Sequence, residues 1–76
     1  MSMLEGILSR LNQMKNGNED SERYFELNGK RICKVNYYAK TDMFEVSIYK
    51  KDGKTDVYSF DNIDMAAIEI FDLLQT

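Results

Sequence analysis

The chain has no histidine and no proline among its 76 residues, and only one cysteine, Cys33. Without histidine the commonest general base and metal ligand is missing, so neither a Ser-His nor a Cys-His nucleophile pair can be assembled. One thiol cannot close an intramolecular disulfide, and small secreted domains usually need several, so a reducing, cytoplasmic setting is expected. Glycine is sparse at four residues. These fall in one helical and three turn segments, and no Walker loop, Gly-x-Gly-x-x-Gly or Cys-x-x-Cys motif occurs. No apolar run approaches a membrane span, and the first ten residues carry no basic lead, long apolar core or small-residue cleavage site. Neither membrane association nor a secretory leader is therefore expected.

What is present is an ordinary globular balance, 43% hydrophobic and 30% charged, unlike the apolar-poor composition of a disordered chain. A chain this short buries only about 60% of its unfolded surface and does not split into two cores, so residues 1–76 read as a single domain. Ten basic against thirteen acidic residues give a net charge of −3, which argues against a generally basic nucleic-acid coat.

From Ser2 to Asn16 the apolar residues Met3, Leu4, Ile7, Leu8, Leu11 and Met14 recur at helical steps. Ser2 with Glu5 suits a capping box, and Asn16-Gly17 a helix stop. Asn18–Glu22 is polar and reads as a connecting loop. Between Arg23 and Phe60 the period becomes two, with runs separated by Asn28-Gly29, Lys40-Thr41-Asp42 and Lys51-Asp52-Gly53-Lys54. Such short separators demand antiparallel neighbours, so a four-stranded meander in sequence order follows. A second helix opens at Phe60–Asp64, with Asp61 as cap and Asp64 at the favourable end of the helix dipole. Ile63, Ala66, Ala67, Ile70, Leu73 and Leu74 form its stripe, with Phe71 on the flank and Met65 and Ile68 further round. The expected architecture is α+β (α-ββββ-α), two layers with both helices on one face of the sheet.

Alternation assigns the sheet faces. Phe44, Val46 and Ile48 point inward. Closing the second hairpin on Thr41-Asp42 sets Ala39 opposite Phe44, Tyr37 opposite Val46 and Val35 opposite Ile48, with Cys33 continuing the inner row as a small buried hydrophobe. In the last hairpin a two-residue Asp52-Gly53 turn would point Val57 inward, whereas a bulge at Gly53 would bury Tyr58 and Phe60; the bulge buries the larger side chains and is preferred. The first hairpin leaves either Tyr24 or the pair Phe25 and Leu27 inward. The uncovered face then carries Ile32, Lys34, Asn36, Tyr38, Met43, Glu45, Ser47 and Tyr49.

The carboxylates Asp61, Asp64, Glu69 and Asp72 are accounted for by helix capping and a solvated helix face, and no metal site, catalytic residue or cofactor is expected. An interaction surface is expected instead, built on Ile32, Lys34, Tyr38, Met43 and Tyr49. A small domain with such an apolar face gains stability by burying it against a protein partner or a copy of itself, so homodimerisation or protein binding is the leading expectation. The alternative is single-stranded nucleic acid: Gly29–Lys54 holds seven bases against three acids, interleaved with tyrosines that could stack on bases.

Several segments also resemble a known family. Arg23-Tyr24-Phe25-Glu26, Asn28-Gly29, Ile32-Cys33, Phe60-Asp61-Asn62-Ile63-Asp64-Met65, Ile68-Glu69-Ile70-Phe71 and Leu73-Leu74-Gln75 are similar to the YkuJ-like family, small uncharacterised proteins of low-GC Gram-positive bacteria. The chain departs from that pattern in a shorter loop after the first helix and in Ser59, where a proline is expected. The resemblance implies the same α+β fold and a cytoplasmic location, and carries over no catalytic or binding residue.

Overall fold

A computed structural model describes residues 3–75. The elements are α1 (Met3–Asn16), β1 (Ser21–Leu27), β2 (Lys30–Tyr38), β3 (Met43–Tyr49), β4 (Thr55–Phe60) and α2 (Ile63–Gln75). The strands form one antiparallel sheet in the order β1-β2-β3-β4. One core joins Ile7, Leu11 and Met14 of α1, Ala66, Ala67 and Ile70 of α2, and the inward row Phe25, Cys33, Val35, Tyr37, Phe44 and Val46. Both helices therefore cover the same sheet face. The shortest dimension, 19 Å, is that of two layers, and the opposite face of the sheet is left open.

The helix ends follow side-chain chemistry more than glycine. Beyond α1 the left-handed residue is Asn18 (φ 56°), whose N–H reaches the Lys15 carbonyl at 3.3 Å, and not Gly17. Asparagine tolerates this region because its short amide can bond locally. The expected Ser2 cap lies outside the described residues. At α2 the cap is Asn62, one residue later than expected at Asp61. The Asn62 Oδ1 accepts the N–H groups of Asp64 at 2.8 Å and Met65 at 3.2 Å, satisfying two of the donors a helix start leaves free.

Strand β1 starts at Ser21, two residues before the expected boundary. Ser21 pairs with Tyr37 and Glu22 with Asn36. Polarity does not bar these residues from an edge strand, whose side chains there stay wet on both faces. The Asp20 carboxylate accepts the Ala39 N–H at 2.8 Å and ties down the start of the strand.

Each hairpin settles its own phase. Asn28 (φ 56°) and Gly29 (φ 80°) are both left-handed, as a two-residue turn matched to strand twist requires. The pairing then slips between Phe25 and Glu26, so Arg31 and Ile32 together oppose Glu26. That bulge sets Phe25 beside Cys33 on the inner face with Leu27 following, and turns Tyr24 outward.

In the second hairpin the inner-face residues are those expected, but the register is two residues different: Tyr37 pairs with Phe44, Val35 with Val46 and Cys33 with Ile48. The turn is wider, spanning Ala39–Asp42, with Asp42 left-handed (φ 54°). A shift of two preserves which face each residue meets, so the alternation alone could not detect it. A local network favours the wider turn. The Tyr37 hydroxyl donates to Asp42 Oδ1 at 2.8 Å, the Lys15 ammonium lies 3.3 Å from Asp42 Oδ2, and the Tyr37 ring packs on Phe44 with centroids 5.0 Å apart. The hydrogen bond from Tyr37, aided by Lys15, holds the Asp42 carboxyl below the ordinary aspartate range, and the same bond pushes the Tyr37 phenol up.

The third hairpin has the bulge at Gly53 (φ 86°). The Gly53 N–H bonds the Lys50 carbonyl at 3.1 Å and the Lys50 N–H bonds the Lys54 carbonyl at 2.9 Å. Phe60 and Tyr58 consequently share the face of Phe44 and Val46, with Asp56 beside Ile48. Burial accounts for only one of the two larger side chains, because Phe60 packs against the core while Tyr58 remains 47% exposed on the edge strand. The left-handed glycine fixes the phase.

Two outcomes follow for stability. Replacing Asn62 with Ala should remove the α2 cap and cost about 1 kcal/mol in urea unfolding, within the usual range for a lost N-cap. Because the folded-state pKa of Asp42 is depressed, its contribution is complete above about pH 4 and fades as pH falls below that. Unfolding followed by circular dichroism should show Asp42→Asn less stable than wild type at neutral pH, with the difference shrinking as pH falls below about 4.

Candidate functional site

The open face is a grid whose rows are set by register. At one end lie Tyr38 and Met43, which pair directly. The next row carries Glu22, Asn36, Glu45 and Ser59, and the one after it Tyr24, Lys34, Ser47 and Val57. The last row holds Glu26 opposite the bulged Arg31 and Ile32, followed by Tyr49 paired with Thr55. Of the five surface residues expected from sequence, Tyr38 and Met43 thus occupy one end, Ile32 and Tyr49 the other, and Lys34 lies between. Six residue steps of extended chain take β2 from Ile32 to Tyr38, about 20 Å at the usual rise. The apolar members of these five therefore fall at the two ends, with the polar row Glu22, Asn36, Glu45, Ser59 and the polar centre of the next row, Lys34 and Ser47, between them.

The polar rows are only partly neutralised. The Tyr38 hydroxyl donates to Glu45 Oε1 at 3.2 Å and accepts from Asn36 Nδ2 at 3.4 Å, while the Asn36 Oδ1 is buried without a partner among the described residues. Arg31 sits 4.1 Å over the Tyr24 ring and 3.7 Å from Glu26. The ion pairs among the described residues are Lys15–Asp42, Arg31–Glu26 and Lys50–Asp56; half-buried Lys34 and exposed Glu22 are in none of them. Tyr24, Arg31 and Val57 also belong to this face. Val57 is exposed by 54%. Sequence reasoning left Tyr24 undecided because the bulge that turns it outward has no glycine or proline to mark it. The one signal was the opposite charges of Glu26 and Arg31 on either side of Asn28-Gly29.

Elsewhere the chemistry is quiet. Cys33 is fully buried, and burial, with a smaller contribution from the negative charge of Glu69, raises its thiol to about 11. A thiol so held is protonated and shielded, a packing group and not a nucleophile. Among the described residues no group of three or more Cys, Asp or Glu side chains converges as a metal would need. A recess lies between α1 and β1, bounded by Ile7, Arg10, Arg23 and Phe25. Its polar lining is Arg10 and Arg23 with Glu26 and Tyr24, and Glu26 is ion-paired with Arg31. No helix among the described residues is long and apolar enough to cross a membrane.

Residues 7–74 match the family described as protein of unknown function (DUF1797). The chain is 48% identical over 79 aligned residues to the uncharacterized protein YkuJ of Bacillus subtilis strain 168, covering 99% of this chain and 100% of that one. It also superposes on an X-ray structure of the YkuJ protein from Bacillus subtilis with a TM-score of 0.94 at 47% identity, over 99% of this chain and 100% of the other. The likeness carried by the Phe60–Met65 run therefore extends along the whole molecule, and the chain belongs to the DUF1797 family of proteins of unknown function.

Proposed function

We propose that this chain is a non-enzymatic protein-interaction domain of the cytoplasm, acting through the open face of its sheet by self-association or by capture of a partner protein. The observation that carries this reading is that neither helix covers that face, yet it holds Ile32, Tyr38, Met43, Tyr49, Tyr24 and Val57. Aromatic and aliphatic side chains grouped around a few polar ones are the composition of interface cores. The lone buried thiol, Cys33, suits the reducing compartment, and the absence of histidine together with an inert thiol supports binding over catalysis. A photo-crosslinking side chain placed at Tyr49 or Tyr38 in living cells should give discrete protein adducts that the same group at exposed Gln13 on α1 does not. Identical adduct patterns from all three positions would sink the reading.

A second reading is favoured by one observation: Lys30, Arg31, Lys50, Lys51 and Lys54 gather at the end of the sheet that carries Tyr49, with Lys34 and Tyr24 one row in. Such an end could track a single-stranded nucleic acid, with Tyr49 as the stacking surface. Against it, Arg31 already covers Tyr24, two of the bases are ion-paired, and Tyr38 lies at the acidic end. This reading requires binding of a labelled oligothymidine that weakens with salt and with Lys34→Ala. No binding at low salt ends it.

A further inference from the structure

We propose that the open sheet face docks on a second copy of this chain, stacked face to face about a two-fold axis that runs across the strands; this rests on the interaction reading above and names its partner. A closed face-to-face pair needs a two-fold axis in the plane between the sheets, and the rows of the grid distinguish the choices.

An axis along the strands lays each row on its own copy. The Glu22 and Glu45 row would then meet a second Glu22 and Glu45, and the cationic turns at the far end would meet each other. Like charges so placed oppose association. An axis across the strands, lying between the two polar rows, exchanges the rows instead. Tyr38 and Met43 then cover Ile32 and Tyr49 of the copy. The Glu22, Asn36, Glu45 row covers the Tyr24, Lys34, Ser47 row. Lys34, half-buried and in no ion pair, comes over Asn36 of the copy, between Glu22 and Glu45. The turns rich in Lys30, Lys51 and Lys54 approach the end holding Asp20 and Asp42. The two separated apolar patches, which make little sense as one docking site for a small ligand, each find an apolar counterpart. The aligned packing of two sheets, about 10 Å apart and rotated by about 30°, accommodates this arrangement.

Area sets the strength. Four strands at about 4.8 Å spacing and four outward rows about 6.8 Å apart offer about 500 Å² per copy, and the resulting total of about 1,000 Å² is the lower edge of a specific interface. The dimer should therefore be reversible and salt-sensitive.

Sedimentation equilibrium of the full chain from micromolar to submillimolar concentration should show a monomer-dimer equilibrium that weakens with salt. Lys34→Glu or Glu45→Lys alone should weaken it by about tenfold or more, and the double exchange should restore it to within about threefold. Thermal melts of the same variants separate loss of association from loss of fold. Independently, a short bismaleimide should join Lys34→Cys to Asn36→Cys in a mixture of the two variants, the buried Cys33 remaining unmodified. Preferential joining of Tyr24→Cys to Val57→Cys, both exposed and in one row, would place the axis along the strands and overturn the arrangement. A dimer indifferent to Lys34 and Glu45 would also overturn it, while leaving the interaction reading intact. A strict monomer overturns the self-docked arrangement, and adducts to another protein at Tyr49 would then show that the face binds a different partner.

Discussion

Everything in this molecule depends on phase. A strand turns successive side chains to opposite faces, so a slip of one residue in any of the three hairpins would carry a whole strand's apolar set away from the helices. The chain keeps phase with three different devices. The first hairpin uses a tight left-handed pair, Asn28-Gly29, followed by a compensating bulge at Arg31 and Ile32. The second uses a wide turn ending in left-handed Asp42, and the third a bulge at Gly53. Each brings the next strand back with its apolar side toward Ile7, Leu11, Ala66 and Ile70.

Keeping phase on the inner face also decides the outer one. Because the inward row is Phe25, Cys33, Val35, Tyr37, Phe44 and Val46, the residues between them must face away. The bulge adds Arg31 and Ile32 to that side together, which brings a guanidinium over Tyr24 and an aliphatic group next to Tyr49. The distribution of charge on the open face is thus a by-product of the same pairing that builds the core. What the pairing does not explain is why large apolar groups were placed at the two ends of that face, where lysine or threonine would keep an open sheet apart from its neighbours.

Much of the fold was legible because its signals were periodic. The helical steps of α1 and α2, the alternation in β3 and the polar separators gave element order, layers and the inner row. Three details were not legible, for distinct physical reasons. The second register differed by two residues, a shift that leaves every side chain on its own face and so leaves no trace in the pattern. The Tyr24 orientation depended on a bulge formed by Arg31 and Ile32, residues with no special backbone preference. The α2 cap moved from Asp61 to Asn62 because both side chains can cap, and only the backbone path decides which side-chain oxygen reaches the N–H groups of Asp64 and Met65. For the candidate surface, all five residues expected from sequence lie on the open face, but their separation into two ends required the register.

The packing of α1 against α2 links the first element of the sequence to the sixth. The sheet can grow hairpin by hairpin from near neighbours, and with no proline in the chain no prolyl isomerisation delays it. The helical layer cannot form in the same way. Ile7 and Leu11 of α1 need cover, and Ala66, Ala67 and Ile70, which help provide it, follow about sixty residues later in the chain. Until α2 is in place the core has only half its helical cover, so these last thirteen helical residues complete the fold and do not merely extend it.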